Sequence, residues 1–293
     1  MALQSSGAIS IANIATEFGG SQPHALNEYY RGGSFVTSNN TNVPTSGQID
    51  LADFYGAVKQ SSVTISSNNT NRNVHTDLFG SDFTSSIPKL LIINSGVELG
   101  ATSLSNYALY VPSGMGGTLT IQNAGTLSGA GGDGSSSGQG GDGGTALYIA
   151  SNNVTVTNTG TIRGGGGGGG KGADGASYIT SNFSCIGGTG GAGGNGQGYD
   201  QSQSNGAGGG AKYAFLTYSP GSGNCAGPSC FQCDQWGIYQ NGSSGGNGGT
   251  YGNAGSQGGG SGSQGGAAGK YIQLASSISY TLSNSGTLQG NAP

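Results

Sequence analysis

The sequence predicts a mainly β fold with three kinds of part: a small N-terminal α+β module, β rungs of a solenoid-like or sandwich kind, and a bundle of polyglycine II helices. Three observations carry this. Glycine supplies 65 of the 293 residues, and long stretches read Gly-Gly-X with almost no proline. The apolar residues are not diluted evenly but cluster at 90–93, 108–111, 147–149, 154–156 and 271–274, each cluster followed by a glycine tract or a turn. A motif, Asn-x-Gly-Thr-Leu/Ile-x-Gly, recurs after an alternating strand pattern. The boundaries that follow are 1–58 for the module and 59–128 for a β-rich domain. A glycine-rich region with projecting loops covers 129–270, with a β rung inserted at 146–163, and 271–293 is a last rung returning to the base.

The module opens with an internal repeat. Ser6-Gly-Ala-Ile-Ser-Ile-Ala-Asn-Ile14 matches Ser46-Gly-Gln-Ile-Asp-Leu-Ala-Asp-Phe54, and each copy reads as a short strand entering a helical turn. The polar residue before the turn, Ser10 or Asp50, is of the type that caps free amides at a helix start. Between the copies, Leu26-Asn-Glu-Tyr-Tyr-Arg-Gly-Gly33 reads as a helix stopped by glycine. A unit of this size buries little apolar surface alone, so it is expected to dock on a partner or on the rest of the chain. Its first residues carry neither the basic stretch nor the apolar stretch of a secretory signal.

The rungs come next. Residues 108–111 lead to 118–129, 146–149 to 154–164, and 271–274 to 279–290, with 91–100 as an earlier, degenerate copy. Alternation such as Leu119/Ile121 and Val154/Val156 turns one face inward, and Asn-x-Gly reads as a turn. A single rung cannot cover its own apolar face, so the rungs are expected to stack.

Glycine tracts fill the excursions between rungs, 129–144 after the first and 164–269 after the second. In 129–144 glycine holds one register at 129, 132, 138, 141 and 144 and another at 131, 134, 140 and 143, while Ala130, Asp133, Ser136, Gln139 and Asp142 occupy the third. A period of three with two bare faces is an extended threefold helix whose neighbours approach backbone to backbone. At about 3.1 Å per residue the twelve residues 164–175 would span roughly 37 Å. Such a helix has no internal hydrogen bonds, so tracts must pair with one another, within one chain or in a homotrimer. Collagen needs proline among its triplets, and none of the seven prolines lies inside a tract.

Composition removes several functions. Only 7% of residues are charged and the net charge is −4, which leaves no basic surface for nucleic acid or an anionic membrane. There is no apolar run of membrane-spanning length, so membrane insertion is not expected. Catalytic constellations are weak: the histidines have no nucleophile context, and nothing in the spacing of Asp174, Asp200 and Asp234 demands a glycosidase pair. The stretch 190–196 departs from a calcium nonapeptide repeat, and no phosphate-binding glycine motif stands between strand and helix. The reading is of a non-enzyme with no cofactor and no metal. Cys185, Cys225, Cys230 and Cys233 are candidates for one or two loop disulfides, with free thiols, or zinc at the Cys-x4-Cys-x2-Cys run, as the alternatives.

The remaining candidates are aromatic. Tyr178, Phe183 and Tyr199 lie in the earlier loops between glycine tracts, and Tyr213, Phe215, Tyr218, Phe231, Trp236 and Tyr239 crowd into 212–240. Aromatic side chains in polar, glycine-punctuated loops offer large contact area at low entropic cost, as binding surfaces do; the alternative is a satellite cluster that anchors a long loop.

Ile9-Ser-Ile-Ala-Asn-Ile-Ala-Thr-Glu-Phe-Gly-Gly20, Leu26–Gly33 and Pro44-Thr-Ser-Gly-Gln-Ile-Asp-Leu-Ala-Asp-Phe-Tyr-Gly-Ala57 resemble a segment recurrent in tail and tail-fibre proteins of tailed bacteriophages. The glycine-rich remainder is similar in design to the fibre-tip adhesins of T-even-like phages, where polyglycine II helices stack beneath variable receptor-binding loops. The resemblance implies a virion protein at the tail or fibre tip, made in the host cytoplasm and acting outside it. Residues 1–58 would then contact other phage tail proteins, and the aromatic loops a host cell-surface protein or glycan. The alternative is a structural baseplate, collar or capsid-decoration protein with no receptor contact.

Overall fold

The computed structural model describes residues 3–179, 183–211, 213–216 and 240–293. The chain makes successive turns, the first four each laying one short strand on each of three parallel sheets and the last adding a strand to two of them. β1 (Ser61–Ile65), β2 (Asn69–Thr70) and β3 (Arg72–Asn73) form the first turn, and β4 (Lys89–Ile93), β5 (Glu98–Gly100) and β6 (Leu109–Val111) the second. The third has β7 (Leu119–Asn123), β8 (Thr126–Ser128) and β9 (Leu147–Ile149). The fourth starts with β10 (Val154–Asn158) and β11 (Thr161–Arg163), and then leaves on a long excursion. That excursion carries β12 (Tyr178–Ile179), β13 (Phe183–Ile186) and β14 (Tyr213–Leu216) before returning as β15 (Ile272–Leu274). β16 (Tyr280–Asn284) and β17 (Thr287–Gln289) end the stack. The sheets run β1-β4-β7-β10-β16, β2-β5-β8-β11-β17 and β3-β6-β9-β15.

Register explains the repeated sequence. Val63, Leu91, Ile121, Val156 and Leu282 align across the first sheet. Leu99, Leu127, Ile162 and Leu288 align across the second, and Leu109, Leu147 and Ile272 across the third. These columns face one another in a single core in which Leu91, Ile121, Val156, Leu99, Leu127, Ile162, Leu109, Leu147 and Ile272 are fully buried. Each such side chain contributes about 1.5–3 kcal/mol by leaving water. A one-residue slip would turn a whole column outward, so the pattern fixes the register.

Asn-x-Gly was expected to act as a turn, but its asparagine does something more specific. Asn123, Asn158 and Asn284 align at the end of the first sheet and form a side-chain ladder. Asn123 Nδ2 donates to Asn158 Oδ1 at 2.7 Å, and Asn158 Nδ2 to Asn284 Oδ1 at 2.7 Å. The turn 61–73 was not expected as a separate member of the stack, because it lacks the motif. A π-helical turn, Val74–Phe79, running into a 3-10 turn, Gly80–Thr84, adds Val74, Phe79 and Phe83 to the core beside it. Lys89, itself buried, donates from Nζ to the carbonyls of Ser85, Ile87 and Gly116 at 2.7–2.9 Å, tying that turn to the stack. Desolvation pushes its pKa below the usual lysine value.

The N-terminal residues have their own core of Ile14, Phe18, Tyr29, Val36, Val43, Phe54 and Ala57. α1 (Ile11–Phe18) starts at Ser10, whose Oγ accepts the Asn13 amide while Asn13 Oδ1 accepts the Ser10 amide. The strands expected before the helical turns do not form. The segment at Leu26–Tyr29 is a single 3-10 turn rather than a longer helix, and at Leu51–Phe54 the cap is reversed, with Asp53 accepting the Asp50 amide. The repeat survives in a reciprocal tie: Tyr30 donates its hydroxyl to Gly47 O, and Tyr55 donates to Gly7 O. Gly7 and Gly47 both sit at positive φ, +93° and +86°, which a side chain would strain.

The glycine excursions lie side by side as extended tracts bonded through their backbones. Tract 164–175 is the middle one. Its amides at Gly166, Gly167 and Gly168 donate in turn to Gln197, Asn253 and Gly141, each on a different neighbour. Gly169, Gly170 and Lys171 repeat the cycle to Gly194, Ser256 and Gly138. The carbonyls of Gly166, Gly167 and Gly168 accept from Gly132, Gly249 and Gly266, on three further tracts. Partner directions therefore recur every third residue, and six tracts surround the middle one. Every one of these bonds is made within a single chain. Gly164 to Gly170, seven consecutive glycines, are all buried, and a Cβ at any of them would meet neighbouring backbone at 1.7–2.2 Å. Outer tracts keep one non-glycine register, and several of those side chains bond to tract amides, as Asn195 does to Gly134 and Asp142 to Ala267.

Candidate functional site

The tracts have a base end and a far end. Gly129, Gly144, Gly164 and Gly269 join the strands: Gly129 N donates to Arg163 O, Gly164 N to Gln289 O, and Gly144 accepts from Gly165. At the far end the tracts stop at two heights. The connections at 136–137 and 260–262 lie about level with Lys171 and Ala173, because Lys171 N bonds Gly138 O, Ser263 N bonds Lys171 O and Ala173 N bonds Gly259 O. The tracts at 164–175, 187–197, 204–210 and 240–249 reach further. Gly175 N bonds Gly188 O, Gly188 N bonds Gln240 O and Gly210 N bonds Thr189 O, so four tract ends converge.

β12, β13 and β14 grow from this convergence as a small antiparallel sheet, with Tyr178 opposite Cys185 and Phe183 opposite Leu216. It carries the backbones of Tyr178, Phe183, Tyr213 and Phe215 from the predicted set, together with Cys185. Tyr218, Phe231, Trp236 and Tyr239, with Cys225, Cys230 and Cys233, lie outside the described residues. Two polar contacts brace the junction. Ser177 Oγ accepts the Gly187 amide at 2.8 Å, and Asp174 Oδ1 accepts the Gly190 amide at 2.7 Å and Lys171 Nζ at 2.6 Å. The Gly190 bond first, and Lys171 second, hold the Asp174 carboxyl below the usual carboxylate range.

Tyr199 is elsewhere. Its amide donates to Gly129 O, and its ring covers Gly100 so closely that a Cβ there would be 1.9 Å from the ring. The loop that bears it is therefore at the base end, where the ring seats a tract on β5. Tyr251 does the same on the neighbouring connection. The Arg163 guanidinium lies 3.7 Å from its ring centroid, Arg163 also bonds Glu98 Oε1 at 2.9 Å and Ser128 Oγ at 2.8 Å, and burial raises the Tyr251 pKa. Sequence reasoning missed this pin. It also missed a tyrosine cluster on the outer face of the third sheet, Tyr107, Tyr110 and Tyr148, although the repeated Leu109-Tyr110-Val111 and Leu147-Tyr148-Ile149 were a signal for it.

Chemically, the far end offers peptide groups, hydroxyls and aromatic positions on extended supports. Among the described residues, no three His, Cys, Asp or Glu side chains come together as a metal site, and no helix is long and apolar enough to cross a membrane.

Comparison with known proteins adds to this geometry. The model of a family described as phage tail fibre adhesin Gp38 matches residues 60–293. A search of curated proteins finds no match. Among solved structures, the chain is similar to one in the crystal structure of the gp37-gp38 adhesin tip complex of the bacteriophage S16 long tail fiber. The two share 20% identity at a TM-score of 0.52, with 100% of each chain covered, a likeness of fold.

Proposed function

This chain belongs to the phage tail fibre adhesin Gp38 family, and from that premise we propose that it binds a host surface receptor through the segment 178–240. In this reading the stacked turns are a β-solenoid base and the tracts are polyglycine II helices. The parallel, in-register sheets support the first, and the partner cycle of three residues supports the second. The bundle closes within one chain, since the middle tract finds all its neighbours there, and a homotrimer is not needed to complete it. The observation that carries the receptor assignment is the convergence of four tract ends on β12–β14, at the end remote from the base.

Residues 1–58 are read as the attachment module. They have a separate core and lie outside the matched family region, which begins at residue 60. The similar S16 structure is a gp37-gp38 complex of a long tail fiber, and another tail-fibre protein is the corresponding partner here. The protein then acts outside the cell as part of the virion, after synthesis in the host cytoplasm, as a binder rather than an enzyme.

Exchange of 178–240 with the equivalent segment of a family member of different host range is the test. Adsorption of the recombinant phage is expected to follow the donor segment. Adsorption that stays with the recipient host would overturn the assignment.

A further inference from the structure

Away from the glycine tracts, the outer face of the third sheet holds a cleft of about 290 Å³ lined by Asn71, Asn73, Ser105, Asn106, Tyr107 and Tyr110. We infer that this cleft is a second binding site, for a neutral saccharide, on the base of the adhesin.

The aromatic wall is preassembled. Tyr107 stacks on Tyr148 with centroids 4.7 Å apart and planes at 13°, while Tyr110 sits 5.6 Å from Tyr148 and 5.7 Å from Tyr107. In-register pairing of β6 with β9 fixes Tyr110 beside Tyr148, so two of the three rings are held by strands, and Tyr107, just before β6, stacks onto them. Tyrosine gives an apolar ring face with a polar tip, which suits the C–H face and hydroxyl rim of a pyranose.

The polar rim is only partly used by the protein. Asn71 is committed in both directions, to the Thr102 amide and hydroxyl, and makes a rigid wall. Asn73 Oδ1 accepts the amides of His75 and Thr76, which leaves its NH₂ group to donate. Asn106 Nδ2 donates to Ser103 Oγ at 3.0 Å, which leaves its carbonyl oxygen to accept. A donor and an acceptor beside aromatic faces complement neighbouring sugar hydroxyls, each of which both donates and accepts. No charged side chain lines the cleft, so nothing there would repay the desolvation of a phosphate or carboxylate, and the ligand class is neutral. Its volume holds a ring or two of saccharide rather than a folded partner.

Saturation-transfer NMR on the full chain tests this, with maltose, lactose, N-acetylglucosamine and methyl mannoside as probes and glucose 6-phosphate as the charged control. At least one neutral probe is expected to bind saturably with a Kd of roughly 1–10 mM, as a small site with few polar contacts gives. Tyr110→Ala should weaken it about tenfold or more, as expected for loss of one of the two aromatic rings that line the cleft. Tyr110→Phe and Asn106→Ala, which leave the ring cluster in place, should weaken it by roughly two- to fivefold, the scale of one lost hydrogen bond. A chain whose 178–240 segment has been exchanged should bind the sugar unchanged, which separates this site from the receptor assignment. The inference is overturned if no neutral probe binds, if the charged control binds as well as the neutral sugars, or if Tyr110→Phe and Asn106→Ala both leave binding untouched.

Discussion

Replacing Gly167 by alanine tests the glycine bundle at its centre. The new Cβ would stand 2.1 Å from the Gly266 carbonyl oxygen and 2.5 Å from its carbon, both backbone atoms of the adjoining tract 263–269. Normal van der Waals contact requires that tract to move by about 1.3 Å or more. The displacement would stretch the bonds that bind the two tracts, Gly266 N to Gly168 O, Gly269 N to Gly165 O and Ser263 N to Lys171 O, now 2.7–2.8 Å. At about 1 kcal/mol for each weakened bond, and more where a buried group stays unpaired, the loss is roughly 2–5 kcal/mol. Against it stands about 0.4–1 kcal/mol gained by restricting the unfolded chain. Gly208→Ala is the matched control, since a Cβ there meets nothing within 4 Å and its φ is not positive. Equilibrium denaturant unfolding should show Gly167→Ala destabilised by about 1–4.5 kcal/mol and Gly208→Ala neutral or slightly stabilised. Equal stability of Gly167→Ala and the parent, or equal loss in both variants, would refute the reasoning.

Other outcomes follow from contacts in the base and at the tract ends. Lys89→Met removes the donor to three carbonyls and should lower stability by about 1–3 kcal/mol, the unpaired carbonyls outweighing relief from burying an ammonium, read as a lower urea midpoint at unchanged slope. Asn158→Leu interrupts the asparagine ladder on both sides and should cost roughly 2–4 kcal/mol by thermal unfolding, whereas exposed Asn284→Ser should cost less than about 1 kcal/mol. Because the Gly190 amide and Lys171 depress the Asp174 pKa, Asp174 lends its bracing in full above the ordinary carboxylate pKa, and loses it as the pH falls through the lower folded value. The Gly190 amide shift in NMR should titrate in that acid range, and Asp174→Asn should abolish the titration.

Much of the base was legible because parallel stacking repeats the same demand at each turn. The recurring Leu-Tyr-Val/Ile, the alternating strand and Asn-x-Gly-Thr all occupy aligned positions, so a one-dimensional repeat became a column of neighbours. The turn at 61–73 escaped because its strands at Asn69–Thr70 and Arg72–Asn73 are two residues long and polar, too short to show a period. The Gly-Gly-X register was readable, but the significance of Gly164 to Gly170 was not drawn from it: a tract enclosed on all sides has no outward face for a third residue type. Tyr199 and the far-end tyrosines looked equivalent in sequence, since both kinds are aromatic residues between glycines. They were separated only by the direction in which each tract runs, which depends on pairings such as Gly166 with Gln197.

The threefold rotation of bonding partners along 164–175 gives the glycine tracts something like a reading frame. Removing one residue from such a tract would turn everything beyond it by a third of a revolution, aiming each amide at the wrong neighbour and driving an outward side chain, such as that of Ser256 on a neighbouring tract, into the interior. Removing three would shorten a strut by about 9 Å and leave its bonding phase intact. Length variation among such adhesins is therefore expected to come in triplets of amino acids within the tracts, and without that restriction in the loops beyond them. The length of the struts can then change without altering the loops they carry.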